Sequence, residues 1–203
     1  MQGSGKRIMS DTRSRRTVGL TRRAAVFGLA AALASPAFAS DSAAIAYMKK
    51  VAKDMLNAHR QGTVAAFKRA IQRHADVPAI ADYSLGQYKP KLPASQKQAY
   101  YAGTVSFMSR YFADQSRDYT VAKYEIGKAD EDGKDVNVQT KVFLMSGKSY
   151  TVVWKLVKRG SGYKVGDAKV MGFSLIYLQR GIFTSYLSKR NGDVAQLVAA
   201  LNR

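Results

Sequence analysis

The 203-residue chain holds 33 Lys+Arg against 14 Asp+Glu, a formal net charge of +19, with two His and no Cys. The absence of cysteine excludes disulfides and thiolate metal centres, and two histidines alone do not make a structural zinc site, so neither a metal nor a cofactor is expected. The length suits one domain with a real core.

The chain opens on a basic stretch with Arg13, Arg15, Arg16, Arg22 and Arg23, followed by an apolar run of small residues over 24–34. Ser35-Pro36 breaks that run, and Ala37-Phe38-Ala39 offers a small-x-small cleavage site. This order is that of a bacterial export signal over residues 1–39, cut before Ser40. The run is too short for a bilayer core, which needs about 20 residues. Ser/Thr before each arginine pair points to the twin-arginine route. Seven basic residues and one acid fall in this leader, so residues 40–203 keep 26 Lys+Arg against 13 Asp+Glu and a net charge of +13. Export argues against nucleic acid as the partner of that charge; an anionic membrane surface or an acidic protein fits the periplasm better.

After the leader, Ile45, Met48, Val51, Ala52, Met55, Leu56 and His59 recur at helical spacing, with lysines on the other face. Gly62-Thr63 breaks this helix and caps a second one carrying Val64, Phe67, Ala70 and Ile71. Asp76 is placed to cap a short third helix with Pro78 in its first turn, ending at Leu85-Gly86. Ser95-Gln96-Lys97-Gln98 matches a capping box and opens a helix through Tyr101, Val105, Phe107, Met108, Tyr111 and Phe112. The period then changes to two. Strands are expected at 119–126, from Val136 through Leu144, at 150–157 and from Tyr163 through Val170, with turns at the acidic cluster 130–133, at 146–148 and at 160–162. Two helices close the chain, one from Ser174 to about Lys189 and one capped by Asp193. Helices, a run of strands, then helices make an α+β protein: a curved antiparallel sheet of about four to five strands packed with N- and C-terminal helices.

Catalytic constellations are hard to assemble. Gly172-Phe173-Ser174-Leu175-Ile176 lacks the second glycine of a nucleophile elbow, and Ser174 reads as a helix cap. Gly160, Gly162 and Gly166 are spaced one residue too widely for a phosphate-binding loop and sit in a hairpin. His59 and His74 are fifteen apart, too far for a two-histidine metal motif on one helix. No enzyme is expected, with a hydrolase using Ser174 and Asp167 as the outlying alternative. The apolar inventory of the helices at 94–113 and 174–189 is rich enough to line a hollow for an apolar ligand.

Tyr163-Lys164-Val165-Gly166-Asp167-Ala168-Lys169-Val170-Met171-Gly172-Phe173-Ser174-Leu175, followed by Arg180 and Phe183, resembles the MlaC (toluene-tolerance) family of periplasmic phospholipid-binding proteins. Asp76 and Ile80 before Leu85-Gly86 and Tyr88, and Phe67 with Ile71, fit the same family pattern over residues 43–202. Tyr163, Met171 and Gln87-Tyr88 depart from it, which leaves room for a polycyclic hopanoid-type lipid in place of a glycerophospholipid. The resemblance implies an NTF2-like cone with helical elaboration and a lipid pocket between sheet and helices. It further implies a monomeric periplasmic shuttle between an inner-membrane ABC transporter and an outer-membrane lipoprotein complex. On this reading the acyl chains contact Phe67, Ile80 and Leu85, then Tyr101, Val105, Met108, Tyr111 and Phe112 of the following helix. Val142, Leu144, Val152 and Trp154 would join from the strands, and Phe173, Leu175, Ile176, Ile182, Phe183 and Tyr186 from the last part of the chain. Lys89, Lys91, Arg110 and Arg180 would meet the head group or a docking partner. An envelope protein that kept the fold but binds no lipid is the remaining alternative.

Overall fold

The computed structural model describes residues 36–203, with side chains from residue 43 onward. The export-signal reading of residues 1–39 therefore lies outside the described residues except at 36–39, which are helical. Helix α1 (Pro36–Gln61) sets Met48, Val51 and Ala52 against the sheet and turns its lysines to water. Gly62 ends it, and the Thr63 hydroxyl accepts from the Ala66 N–H at 3.2 Å to start α2 (Val64–His74), the expected cap.

Two expected caps do not form. Asp76 precedes α3 (Val77–Leu85), but its side chain accepts no helix N–H. Its carboxylate meets the Arg159 guanidinium at 2.5 Å, and its own N–H donates to Val165 O, so it ties the helix to the sheet instead. The Ser95 capping box is likewise absent. The chain enters α4 (Lys97–Asp118) through a 3-10 turn over Ala94–Gln96, with no side-chain cap bond.

The sheet is a simple antiparallel meander in the order β1-β2-β3-β4-β5. Its strands are β1 (Val121–Asp132), β2 (Asp135–Leu144), β3 (Ser149–Arg159), β4 (Gly162–Val170) and the two-residue β5 (Phe173–Ser174). Strand β1 runs further than its sequence pattern predicts. The acidic residues 130–132 stay paired with β2, and only Gly133 and Lys134 turn the chain. Alternation fixes which face is buried. Val136, Val138 and Thr140 of β2 point inward opposite Leu156, Trp154 and Val152 of β3. A bulge at Gly166 lets Val165 pair with Leu156 while Ala168 pairs with Trp154, so both inner contacts survive.

Helices α5 (Leu175–Ser188) and α6 (Val194–Leu201) follow, capped by Ser174 and Asp193 as expected. Three apolar clusters hold the molecule. Met48, Val51, Val138 and Leu156 join α1 to the sheet. Phe67, Ile71 and Val105 join α2 to α4. Leu85, Tyr100, Phe183, Leu187 and Leu201 join α3, α4, α5 and α6. Each fully buried Leu or Phe contributes about 2 kcal/mol. Tyr100 is fully buried with its hydroxyl donating to Ala81 O at 2.7 Å, so its burial strands no polar group. At Gly103 the α6 chain comes so close that a Cβ would sit 2.7 Å from Leu201 Cβ.

Candidate functional site

The three clusters do not fill the space under the sheet. Cluster residues of β2 and β3 pack on α1 at one end. Towards the other end the same inner face continues as Thr140, Val142, Leu144, Tyr150 and Val152, and these border open space. Two hollows lie there. The wider, about 510 Å³, is bounded by those strands, by Ala52, Met55, Leu56 and His59 of α1, and by Phe67 and Phe112. The narrower, about 100 Å³, runs between Ile71, His74, Met108, Ile176 and Ile182. Met55, Phe112, Trp154 and Leu175 belong to both walls. The wider hollow falls in the size range of small-molecule sites.

The walls are apolar by arrangement as well as by composition, because many polar groups on them are spent on the protein itself. Trp154 Nε1 donates to Thr140 Oγ1 at 2.8 Å, which fixes the indole between the hollows. His59 Nε2 accepts the Val121 N–H at 2.9 Å, and burial holds its pKa below 6.5. His74 Nε2 lies 2.8 Å from Asp54 Oδ2. That bond, with Arg73 beside it, holds the Asp54 carboxyl below its ordinary range against the opposing effect of burial. Gln179 Nε2 donates to Ser84 Oγ at 2.8 Å. Phe67 and Phe112 stack with ring centroids 5.8 Å apart. A surface of this kind offers dispersion contacts and few unmet hydrogen bonds, which suits hydrocarbon.

Asp167 and Ser174 form a capping device. Ser174 Oγ donates to Asp167 Oδ2 at 2.6 Å, and Asp167 Oδ1 accepts from the Ala168 and Ile176 N–H groups at 2.8 and 3.1 Å. Ser174 Oγ also accepts from the Tyr177 N–H. Neither histidine is bonded to this pair; one holds Asp54 and the other Val121. Among the described residues no group of three or more His, Asp or Glu side chains is gathered as a metal would need.

Of the candidate contact residues, Ile80, Met108, Ile176 and Ile182 line the narrow hollow. Phe67, Val142, Leu144, Val152 and Phe173 line the wide one, and Tyr111, Phe112, Trp154 and Leu175 line both. Five reach neither: Leu85, Tyr101, Val105, Phe183 and Tyr186. Leu85, Tyr101, Phe183 and Tyr186 belong to the packing of α3 to α6, and Val105 faces α2. A helix rich in apolar residues on several faces serves two neighbours, and periodicity does not say which face meets the hollow.

The four basic candidates also lie off the walls. Lys89 pairs with Asp82 at 2.9 Å, Lys91 sits over the Tyr88 ring, and Arg180 stacks on Tyr83 with its guanidinium 4.8 Å from the ring centroid. Arg110 donates to Leu201 O and Arg203 O, closing the C-terminal end of α6. The basic residue on the lining is Lys148, in the β2–β3 turn. Sequence reading placed Lys148 only as a turn residue. The strand alternation that ends beside it, Val142 and Leu144 inward, was the signal that the hollow extends to this turn.

The fold and its cavity define a class: an α+β protein whose open meander sheet and helices enclose an apolar hollow. The MlaC protein family model matches residues 41–203, and the chain belongs to that family. A similar solved structure is the phospholipid-binding protein from Ralstonia solanacearum in complex with a phospholipid, with TM-score 0.62 and 21% identity over 77% of this chain and 95% of that one. No curated protein matches the chain.

Proposed function

We propose that this protein is a periplasmic lipid carrier, not an enzyme, that holds the acyl chains of a glycerophospholipid in the joined hollows. The observation that carries the reading is the 510 Å³ apolar cavity left open between sheet and helices in a chain of the MlaC family. The phospholipid bound to the Ralstonia solanacearum neighbour supports the choice of ligand. Among the described residues no helix is long and apolar enough to cross a membrane, consistent with a carrier that moves through water. On this reading the protein shuttles lipid between an inner-membrane ABC transporter and an outer-membrane lipoprotein complex.

The physical need is plain. Each methylene costs about 0.8 kcal/mol to expose, so two ordinary acyl chains resist leaving a bilayer by roughly 20 kcal/mol or more. A dry cavity that accepts the chains removes that barrier without chemistry. On this reading Lys148, the basic residue on the lining of the wide hollow, would meet an anionic head group. Incubation with vesicles containing labelled phospholipid tests this. The wild-type chain is expected to take up label in near-stoichiometric amount, and Leu175→Trp, which pushes a ring into both hollows, much less. Equal uptake by the two would contradict the assignment of the site.

A further inference from the structure

At one end of the sheet three chain reversals lie together. The α4–β1 junction is bonded to the β2–β3 turn, with Met145 N donating to Thr120 O at 2.9 Å. The β4–β5 turn is bonded to the start of β3, with Met171 N donating to Thr151 O at 3.2 Å. Each reversal presents a large apolar side chain to water: Tyr119 is 51% exposed, Met145 70%, Met171 70% and Phe173 77%. Tyr119, Met171 and Phe173 stand at the wall of the wide hollow, and Met145 stands outside it. Apolar side chains gathered at one edge in this way mark a contact surface.

Met171 strengthens the point. Val170 pairs with Phe173, so Met171 and Gly172 form a two-residue hairpin turn, with φ of +50° and +88°. A turn with both φ values positive favours Asn-Gly, because a larger side chain is strained there. The chain instead holds a methionine in the strained position and exposes it, and neither turn geometry nor core packing accounts for that choice.

The tip of the sheet is basic, and its lysines have few acids beside them. Segments 119–125, 141–150 and 169–174 carry Lys123, Lys141, Lys148 and Lys169 against one acid, Glu125, which is paired with Lys123 at 2.7 Å. The opposite end carries Asp130, Glu131, Asp132 and Asp135, and from its two hairpins Lys128, Lys134, Lys155, Lys158, Arg159 and Lys164, with Lys155 paired to Asp135 at 3.1 Å. An apolar tip flanked by the ammonium groups of Lys141, Lys148 and Lys169 is complementary to one surface above others: an anionic lipid bilayer.

We propose that this tip docks directly on an anionic phospholipid bilayer. Met145, Met171 and Phe173 enter the interface, the lysines face lipid phosphates, and the mouth of the wide hollow is laid against the membrane. The proposal extends the lipid-carrier reading, and it has its own readout. The chain as its host processes it is floated with vesicles containing phosphatidylglycerol and, separately, with vesicles of phosphatidylcholine alone. Binding is expected to the first and not the second, and to weaken as salt is raised. Combined Met145→Ser, Met171→Asn and Phe173→Ser is expected to cut binding by about tenfold or more. Asn accepts the positive φ at position 171, so the melting temperature should hold. Met145→Ser alone, off the hollow, should lower binding by a smaller factor. A chain that carries lipid yet floats with neither vesicle overturns the docking proposal and assigns the tip to a protein partner. Equal flotation of wild type and the triple variant overturns it as well. Flotation with anionic vesicles by a chain that carries no lipid would sustain docking while removing the carrier reading.

Discussion

His59 shows how one side chain can serve the walls and the frame together. Its Nε2 accepts the Val121 N–H, which joins α1 to the first residue of β1 beside the wide hollow. Protonation would destroy that acceptor. Burial sets its folded pKa below the ordinary 6.5, so the unfolded chain binds the proton more readily. Its contribution to stability is therefore complete above pH 6.5 and lost as pH falls through the lower, folded value. Asp54 acts in the same direction but in a separate window. Its lowered pKa gives stability that is present above 3.8 and fades only below it. Urea unfolding at neutral pH and at mildly acidic pH should show a loss of stability that His59→Leu, which already lacks the acceptor, does not share. An unchanged pH dependence in that variant would contradict the role. The Asp167–Ser174 pair makes a second prediction at this scale. Ser174→Ala should cost about 1 kcal/mol as a lost cap. Asp167→Ala should cost about 2–3 kcal/mol, because three donors lose their shared acceptor. Thermal denaturation of both variants measures this, and destabilisation without any effect in an esterase assay is the expected pattern.

At the scale of elements, α4 and the sheet each have a filled part and an open part. Val105 on α4 is 3% exposed among Phe67, Ala70 and Ile71. Val142 on β2 faces the hollow. The same substitution should therefore have opposite consequences. Val105→Trp overpacks a closed cluster and should cost about 3 kcal/mol or more. Val142→Trp has space to enter, so it should leave the melting temperature nearly unchanged and reduce lipid uptake. Calorimetry together with the vesicle uptake measurement separates the two, and an unfolded Val142→Trp would mean the hollow closes around its wall. These elements also mark what was legible in the sequence. Period-two alternation in β2 placed Val142 and Leu144 on one face, and that face is the one that opens; Val152 and Trp154 of β3, expected from the family resemblance, border the same hollow. The helices were harder. Tyr101, Val105, Phe183 and Tyr186 are as apolar as Met108 and Ile182, and only the three-dimensional arrangement decides which stripe meets a neighbouring helix. Caps were readable where the side chain had no better partner, as at Thr63, Ser174 and Asp193. Asp76 was misassigned because a residue of the distant β3 strand, Arg159, claims its carboxylate. The basic candidates lie off the cavity walls for a similar reason. Lys89, Arg110 and Arg180 are held by an acid, a helix end and a ring that sequence spacing does not bring to them.

At the scale of the molecule, a meander sheet closed by helices at one end and left open at the other gives a cavity without a second domain. The chain has no disulfide to brace it, so the three apolar clusters alone must hold the walls apart. A hollow of this size persists in water only if its opening is narrow or its contents are hydrocarbon, and the exposed tip residues at its mouth fit the second condition. The central claim is that the cavity is occupied by lipid chains when the protein works. Organic-solvent extraction of the natively purified protein, with mass spectrometry of the extract, tests that claim most directly. Near-stoichiometric glycerophospholipid is the expected result. A polycyclic lipid in its place would change the cargo while keeping the site, and a lipid-free extract from protein that also takes up none from vesicles would contradict the account.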